Sequence, residues 1–183
     1  MRWFWIDRFE EFVCGQHAVA VKCVSLSEEA VDEYSPGAPY YPASLIVEGL
    51  AQTGGLLIQQ QSDFLNRVVL AKVTRSKFYF QARPGDCLRF RADIENMSGG
   101  GIAKGTVHLG DRLLCEADLT FAFLDDRFEG VELFEPDGFC RMLRCLKLFE
   151  VGVYPDGTPV SVPQYMIDAE RARGLALNAT ADT

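Results

Sequence analysis

A single glutamate, Glu48, stands inside the longest apolar region of the chain, with Leu45, Ile46 and Val47 before it and Leu50, Ala51, Leu56, Leu57 and Ile58 after it. A carboxyl group in such company must be paired, protonated or open to a cavity, because an unpaired buried charge is too costly to keep. Gln52 follows four residues later, on the same face if the region is helical, where its amide can orient the carboxyl or a water. Such a pair suits general acid–base chemistry on a bound substrate. The alternatives are a structural buried carboxyl and a surface position near a helix end. Other chemistry-bearing residues offer less: His17 and His108 each sit in a strand-like run and read as ordinary strand positions. The six cysteines (Cys14, Cys23, Cys87, Cys115, Cys140, Cys145) form no Cys-x-x-Cys pair, so a zinc site has little to draw on. Reduced, buried thiols are the simpler reading over a disulfide framework, and no metal or redox cofactor is implied.

The elements that must position Glu48 follow from pattern and punctuation. From Pro42 to about Phe64 no further proline interrupts the chain, and the spacing predicts a helix apolar on nearly every face and buried on every face. Gly49, Gly54 and Gly55 each weaken it by roughly 1 kcal/mol relative to alanine, which is tolerable where something packs closely on its backbone. Residues 11 to 25 hold two apolar runs around Gly15-Gln16 and predict a hairpin. Residues 33 to 42, with three prolines and a glycine, predict a loop without regular structure. Four strands are expected after the helix: Arg67 to Ala82, Cys87 to Asn96, Ile102 to Leu109 and Arg112 to Leu124, separated by Pro84-Gly85-Asp86, Ser98-Gly99-Gly100-Gly101 and Gly110-Asp111. Alternation of Leu88, Phe90, Ala92 and Ile94 with Arg89, Arg91, Asp93 and Glu95 gives the sheet one buried and one wet face. An α+β architecture results, an antiparallel sheet wrapped around one long helix, over residues 1–125. Residues 126–183 form a C-terminal extension with an amphipathic helix (Phe139, Met142, Leu143, Leu146, Phe149), capped at Asp137 and docking its apolar face on the body, and a frayed tail.

Composition bounds the partners. The chain has 183 residues, enough for one domain with a full core, and a formal net charge of −8, which disfavours general binding to nucleic acid or anionic membranes. That total conceals eight basic against three acidic residues between Arg67 and Lys104. The N-terminus meets charged residues too soon for a signal peptide, and no run reaches the roughly 20 apolar residues of a spanning helix, so a cytoplasmic protein without stable membrane insertion is expected.

The segment Tyr34-Ser35-Pro36-Gly37-Ala38-Pro39-Tyr40-Tyr41-Pro42-Ala43-Ser44-Leu45-Ile46-Val47-Glu48-Gly49-Leu50-Ala51-Gln52 resembles, without a gap, the signature His-Phe-Pro-Gly-x-Pro-x-x-Pro-Gly-x-Leu-x-x-Glu-x-x-x-Gln of the 3-hydroxyacyl-(acyl carrier protein) dehydratase family. Lys77-Phe78 with Arg83-Pro84-Gly85-Asp86-Cys87-Leu88, and Ile6-Asp7-Arg8, are similar to two further blocks of that family. The resemblance spans roughly residues 5 to 125 and implies the hot-dog fold. It further implies a site made from the loop of one subunit and the central helix of another, in a homodimer or higher even oligomer. Glu48 would keep the family's carboxyl role, Gly37, Pro42, Ala43 and Gln52 would contact substrate, and an acyl thioester on acyl carrier protein or coenzyme A would be the ligand.

Two departures stand in the matched segment. Tyr34 takes the place of the catalytic histidine, and a phenol of ordinary pKa near 10 is a poor base at neutral pH though a good hydrogen-bond donor. Ala43 replaces a glycine whose amide binds the thioester carbonyl in the family; it keeps the N–H but loses access to positive φ. Three functions remain open: a lyase of 3-hydroxyacyl-thioester dehydratase type in fatty-acid or related acyl metabolism, with reduced or altered activity and a Tyr34/Glu48 site; a non-catalytic acyl-thioester-binding or partner subunit; and a hot-dog acyl thioesterase. A tunnel lined by Tyr40, Tyr41, Phe78 and Phe80 competes with their being plain core.

Overall fold

The computed structural model describes residues 4–34, 39–124 and 135–174, the side chains of 32–34 excepted. Alternation builds the sheet as expected. In β4 (Cys87–Asn96) Leu88, Phe90 and Ala92 are fully buried while Arg89 and Glu95 face water. The turn at Gly100 and the one at Gly110 lead into β5 (Gly101–Leu109) and β6 (Arg112–Phe123), each antiparallel to its predecessor. β3 (Val68–Phe78) pairs with β6, while β2 (His17–Cys23) joins the far side of β4 and is followed by β1 (Arg8–Val13) through a turn in which Gly15 has φ +72°. The first strand after the helix is thus shorter than the expected Arg67 to Ala82, ending at Phe78. The buried face of this sheet wraps one helix, α2 (Ala43–Gln59), continued by a 3₁₀ turn at Gln60–Ser62. This is the α+β hot-dog arrangement.

The helix can lie this close because both surfaces have given up side chains. A Cβ at Gly49 would sit 2.8 Å from the Phe90 ring, one at Gly54 3.2 Å from Phe121, and one at Gly105 of β5 3.0 Å from Leu50. Leu50, Leu57 and Ile58 fill the layer between. Burial of the helix is incomplete, however: Glu48, Gln52, Gly55 and Gln59 make a partly exposed stripe, so the expectation of burial on every face is corrected to burial on all but one.

The segment before the helix also differs from expectation. Residues Glu29–Tyr34 form a short helix, α1, which reaches into the stretch expected to lack regular structure, because the prolines begin only at Pro36. Ser25 N–H donates to the Glu28 carboxyl at its start, 3.0 Å away. Gly37 and the C-terminal Asn178-to-Thr183 tail lie outside the described residues. Of the six cysteines, Cys14, Cys115 and Cys140 are buried as expected, whereas Cys23, Cys87 and Cys145 are exposed. Cys23 and Cys87 are register partners in β2 and β4, their sulfurs 2.6 Å apart.

Beyond residue 134 the chain folds back on this body. The amphipathic run is two helices, α3 (Pro136–Cys145) and α4 (Leu148–Val151), separated where Lys147 turns to φ +59°. Their apolar face docks as expected: Phe139, Leu143, Leu146 and Leu148 are buried, Phe64 meets the rings of Phe139 and Phe149 edge-on, and the Leu146 carbonyl accepts the Phe9 N–H at 2.8 Å. Asp137 is not the cap. It lies in the first turn, buried, against the guanidinium groups of Arg141 and Arg173 at 3.1 and 3.5 Å, and Glu135 occupies the capping position. Two elements without a sequence signal complete the fold: β7 (Gly152–Val153), which runs parallel to β1, and α5 (Gln164–Ala172), which packs on α3 with Met166 buried and Glu170 bridged to Arg144.

Candidate active site

Proline starts the functional helix. Pro42 holds φ −58° and ψ 133°, outside helical space, while its carbonyl already accepts the N–H groups of Leu45 and Ile46. Ala43 and Ser44 therefore stand in the first turn, where N–H groups have no acceptor within the helix. The loop before them is tied down by the Tyr41 N–H, which donates to the Ala82 carbonyl at 2.9 Å. One turn further on, Glu48 emerges on the partly exposed stripe.

The expected pairing of Glu48 with Gln52 is present, and it has a third member. The Gln52 amide donates through Nε2 to Oε1 of Glu48 at 3.1 Å, and its own Oε1 accepts the backbone N–H of Trp5 at 2.8 Å. A backbone N–H can only donate, so Trp5 fixes which end of the amide is oxygen and turns the NH₂ toward Glu48. Among the described residues no hydrogen bond reaches Oε2 of Glu48. That oxygen belongs to a group lining a cavity of about 400 Å³. The cavity runs along α2 past Gln52, Gly55 and Gln59, with Val68, Val69 and Leu70 of β3 and Phe121 of β6 on one side and Phe4, Phe139 and Met142 on the others.

The remaining expected site residues are elsewhere. Pro42 and Ala43 line a second cavity of about 500 Å³, and here Tyr40, Tyr41, Phe78 and Phe80 do come together. Burial pushes the Tyr41 hydroxyl far above the usual phenol range, with the carboxyls of Glu28 and Asp7 adding to the effect. Arg83 donates to the Tyr40 hydroxyl at 3.1 Å and Arg112 lies 4.1 Å from the Phe80 ring centre, and both line a neighbouring pocket, with Asp86, that shares Tyr40 and Phe80 with this one. Tyr34 is the last residue of α1. Within one chain, then, Glu48 with Gln52 and Pro42 with Ala43 face different cavities. Neither His17, 3.4 Å from a Glu11 carboxyl oxygen on the hairpin, nor His108, opposite Arg89, lines either one.

In the other two matched blocks, Phe78 aside, the acidic residues hold turns and strands in place. Asp7 accepts the Cys23 N–H at 2.7 Å and pairs with Lys22 at 3.2 Å, and Asp86 accepts the Arg83 N–H at 2.8 Å across the Pro84-Gly85 turn, where Gly85 has φ +94°. Sequence reasoning missed Trp5, 47 positions from Gln52, and the extension residues Phe139 and Met142. Helical periodicity had marked the latter two as apolar-face residues without saying what they face. Among the described residues no cluster of three histidine, cysteine or carboxylate side chains could hold a metal ion, and no helix is long and apolar enough to cross a membrane.

A helix wrapped by an antiparallel sheet, with one carboxyl opening to a cavity beside the sheet's edge, defines a hot-dog protein. The chain belongs to the FabA-like family: residues 4–118 match the FabA-like domain. It is 38% identical over 122 residues to the 3-hydroxyacyl-[acyl-carrier-protein] dehydratase FabZ of Symbiobacterium thermophilum (66% of this chain, 86% of the relative). To the enzyme of that name from Chloroflexus aggregans it is 39% identical over 124 residues (66% and 85%). Among solved structures, the dehydratase heterocomplex ApeI:P from Xenorhabdus doucetiae matches with a TM-score of 0.56 at 13% identity, over 67% of this chain and 84% of that one. A Streptococcus mutans protein bound to acetyl-CoA matches with a TM-score of 0.55 at 15% identity, over 68% and 93%.

Proposed function

We propose that the protein is a dehydratase-type lyase acting on 3-hydroxyacyl thioesters, carried on acyl carrier protein or coenzyme A, and that its site is completed between two copies of the chain. The observation that carries this reading is Glu48, oriented by the Trp5–Gln52 relay and lining a cavity beside β3. In the sheet, β3 has no partner on its outer side among the described residues, and seven of its eleven residues are exposed. A long exposed edge invites pairing with another strand. A second copy added there would cover the cavity from the β3 side and bring its own loop, with Tyr34 and Ala43, to the Glu48 of the first.

Elimination at such a site needs one proton removed from Cα and one delivered to the leaving hydroxyl. With Tyr34 as a donor rather than a base, Glu48 performs both transfers. Its carboxylate takes the Cα proton, the Cα–Cβ double bond forms as the Cβ–O bond breaks, and the carboxylic acid returns the proton to the departing oxygen, which leaves as water. The Ala43 N–H, at a helix start, is the group that would hold the thioester carbonyl as negative charge builds on it. A second reading, a non-catalytic partner subunit beside a histidine-bearing relative, is favoured by Tyr34 alone.

Four proteins assayed on one 3-hydroxyacyl thioester, with enoyl formation as the readout, test the proposal. Wild type turns over slowly, Glu48→Gln loses about 10²-fold or more, Tyr34→Phe loses less, and Tyr34→His gains, because imidazole accepts a proton at neutral pH. Equal inactivity of all four, with the thioester still bound, would overturn the lyase and leave the partner subunit.

A further inference from the structure

The FabA-like match ends at residue 118, yet Phe139 and Met142 of α3 form part of the wall of the cavity that holds Glu48. Their place along it can be read from the helix. Glu48 and Gln59 mark the two ends of the stripe on α2, eleven residues or about 16 Å apart at 1.5 Å per residue. Phe64, just past the far end, packs edge-on against Phe139 with ring centres 5.9 Å apart. Met142 is three residues on from Phe139, on the same face of α3. The extension thus stands at the Gln59 end, about three helical turns from the carboxyl. Between them Gly55 contributes no side chain to the floor.

We propose that α3 gauges the acyl chain: with the reacting carbons at Glu48, the apolar tail runs along α2 toward Gln59 and meets Met142, backed by Phe139. This rests on the acyl-thioester reading and adds to it a length limit set by residues outside the matched domain. Met142 is the adjustable part, since it is only partly buried, whereas Phe139 is buried edge-on against Phe64. A cavity wall of flexible thioether shapes itself to an apolar ligand at little cost.

The test is the binding of a graded series of saturated acyl-pantetheine thioesters, whose arm is common to both carriers, to wild type, Met142→Ala and Met142→Trp, each shown by circular dichroism to be folded. Each further methylene buried is worth about fourfold in affinity. Met142→Ala is therefore expected to move the preferred length upward and to tighten the longest thioesters about tenfold. Met142→Trp should weaken them by a similar factor while leaving the shortest unchanged. A length profile identical in all three proteins, with thioesters still bound, would overturn the gauge and spare the proposed function. Failure of wild type to bind a thioester of any length would overturn both.

Discussion

Glu48 is held by a neighbour whose own orientation is set by the main chain, and in the proposed site this is what would make a single carboxyl in an apolar helix usable. Gln52 can hold it because four residues on a helix make one turn, and that spacing is legible in any sequence. The Trp5 N–H that fixes Gln52 is a tertiary accident of where the N-terminal segment crosses α2; no local pattern announces it. Burial acts at the residue scale in a second way. The Cys115 thiol, fully buried in β6, is pushed up to about 12 by desolvation, with Glu116 adding slightly. Its pKa is thus raised in the folded state, so the unfolded chain releases this proton above about pH 8.5 while the folded protein keeps it. The stability contribution is complete below pH 8.5 and is lost as pH rises toward 12. Urea titrations between pH 8 and 11 should show a steeper fall for wild type than for Cys115→Ala, by at most about 1.4 kcal/mol per pH unit. Parallel falls would show that the thiol ionises in place.

At the scale of elements, the contact between α2 and the sheet depends on absent side chains. Gly49→Ala would raise helix propensity by roughly 1 kcal/mol on an open helix. Here the new methyl would meet the buried Phe90 ring at 2.8 Å and the Trp5 carbonyl at 3.1 Å, and neither can give way. Overpacking of this kind costs about 1–3 kcal/mol, so the substitution is expected to lower the thermal midpoint despite the better helix former, and a raised midpoint would refute the tight interface. The strands and α2 were legible because Leu88, Phe90 and Ala92 alternate and because the apolar residues between Pro42 and Phe64 run too long for a strand. Other elements were not. Lys147 breaks α3 from α4 by a left-handed turn that lysine has no special tendency to make, and the Gly152–Val153 pair is too short to carry a period. In the candidate site, Tyr34 and Gly37 were singled out by resemblance alone, whereas Glu48 was conspicuous by its own chemistry.

For the whole molecule, the proposed assembly rests on the edge at β3. Val73 is 38% exposed there, and Arg75 two residues on is already paired with Glu116 and Asp118, so the strand presents an apolar position beside a neutralised charge. Light scattering of wild type is expected to give twice the chain mass of 20.4 kDa, and Val73→Lys, which places a like charge on both apposed strands, should return it to one. A wild type that stays monomeric at micromolar concentration would sink the shared site along with the dimer. The opposite edge has its own occupant. β7 lies beside β1, its Val153 carbonyl accepting the Cys14 N–H at 2.9 Å, and a Cβ at Gly152 would approach the Leu148 carbonyl to 2.7 Å. A sheet open on both sides can recruit copies without end, as fibrils do. Two residues from the C-terminal segment make this one a chain stopper, so under the proposed pairing through β3 growth of the sheet would halt at two copies.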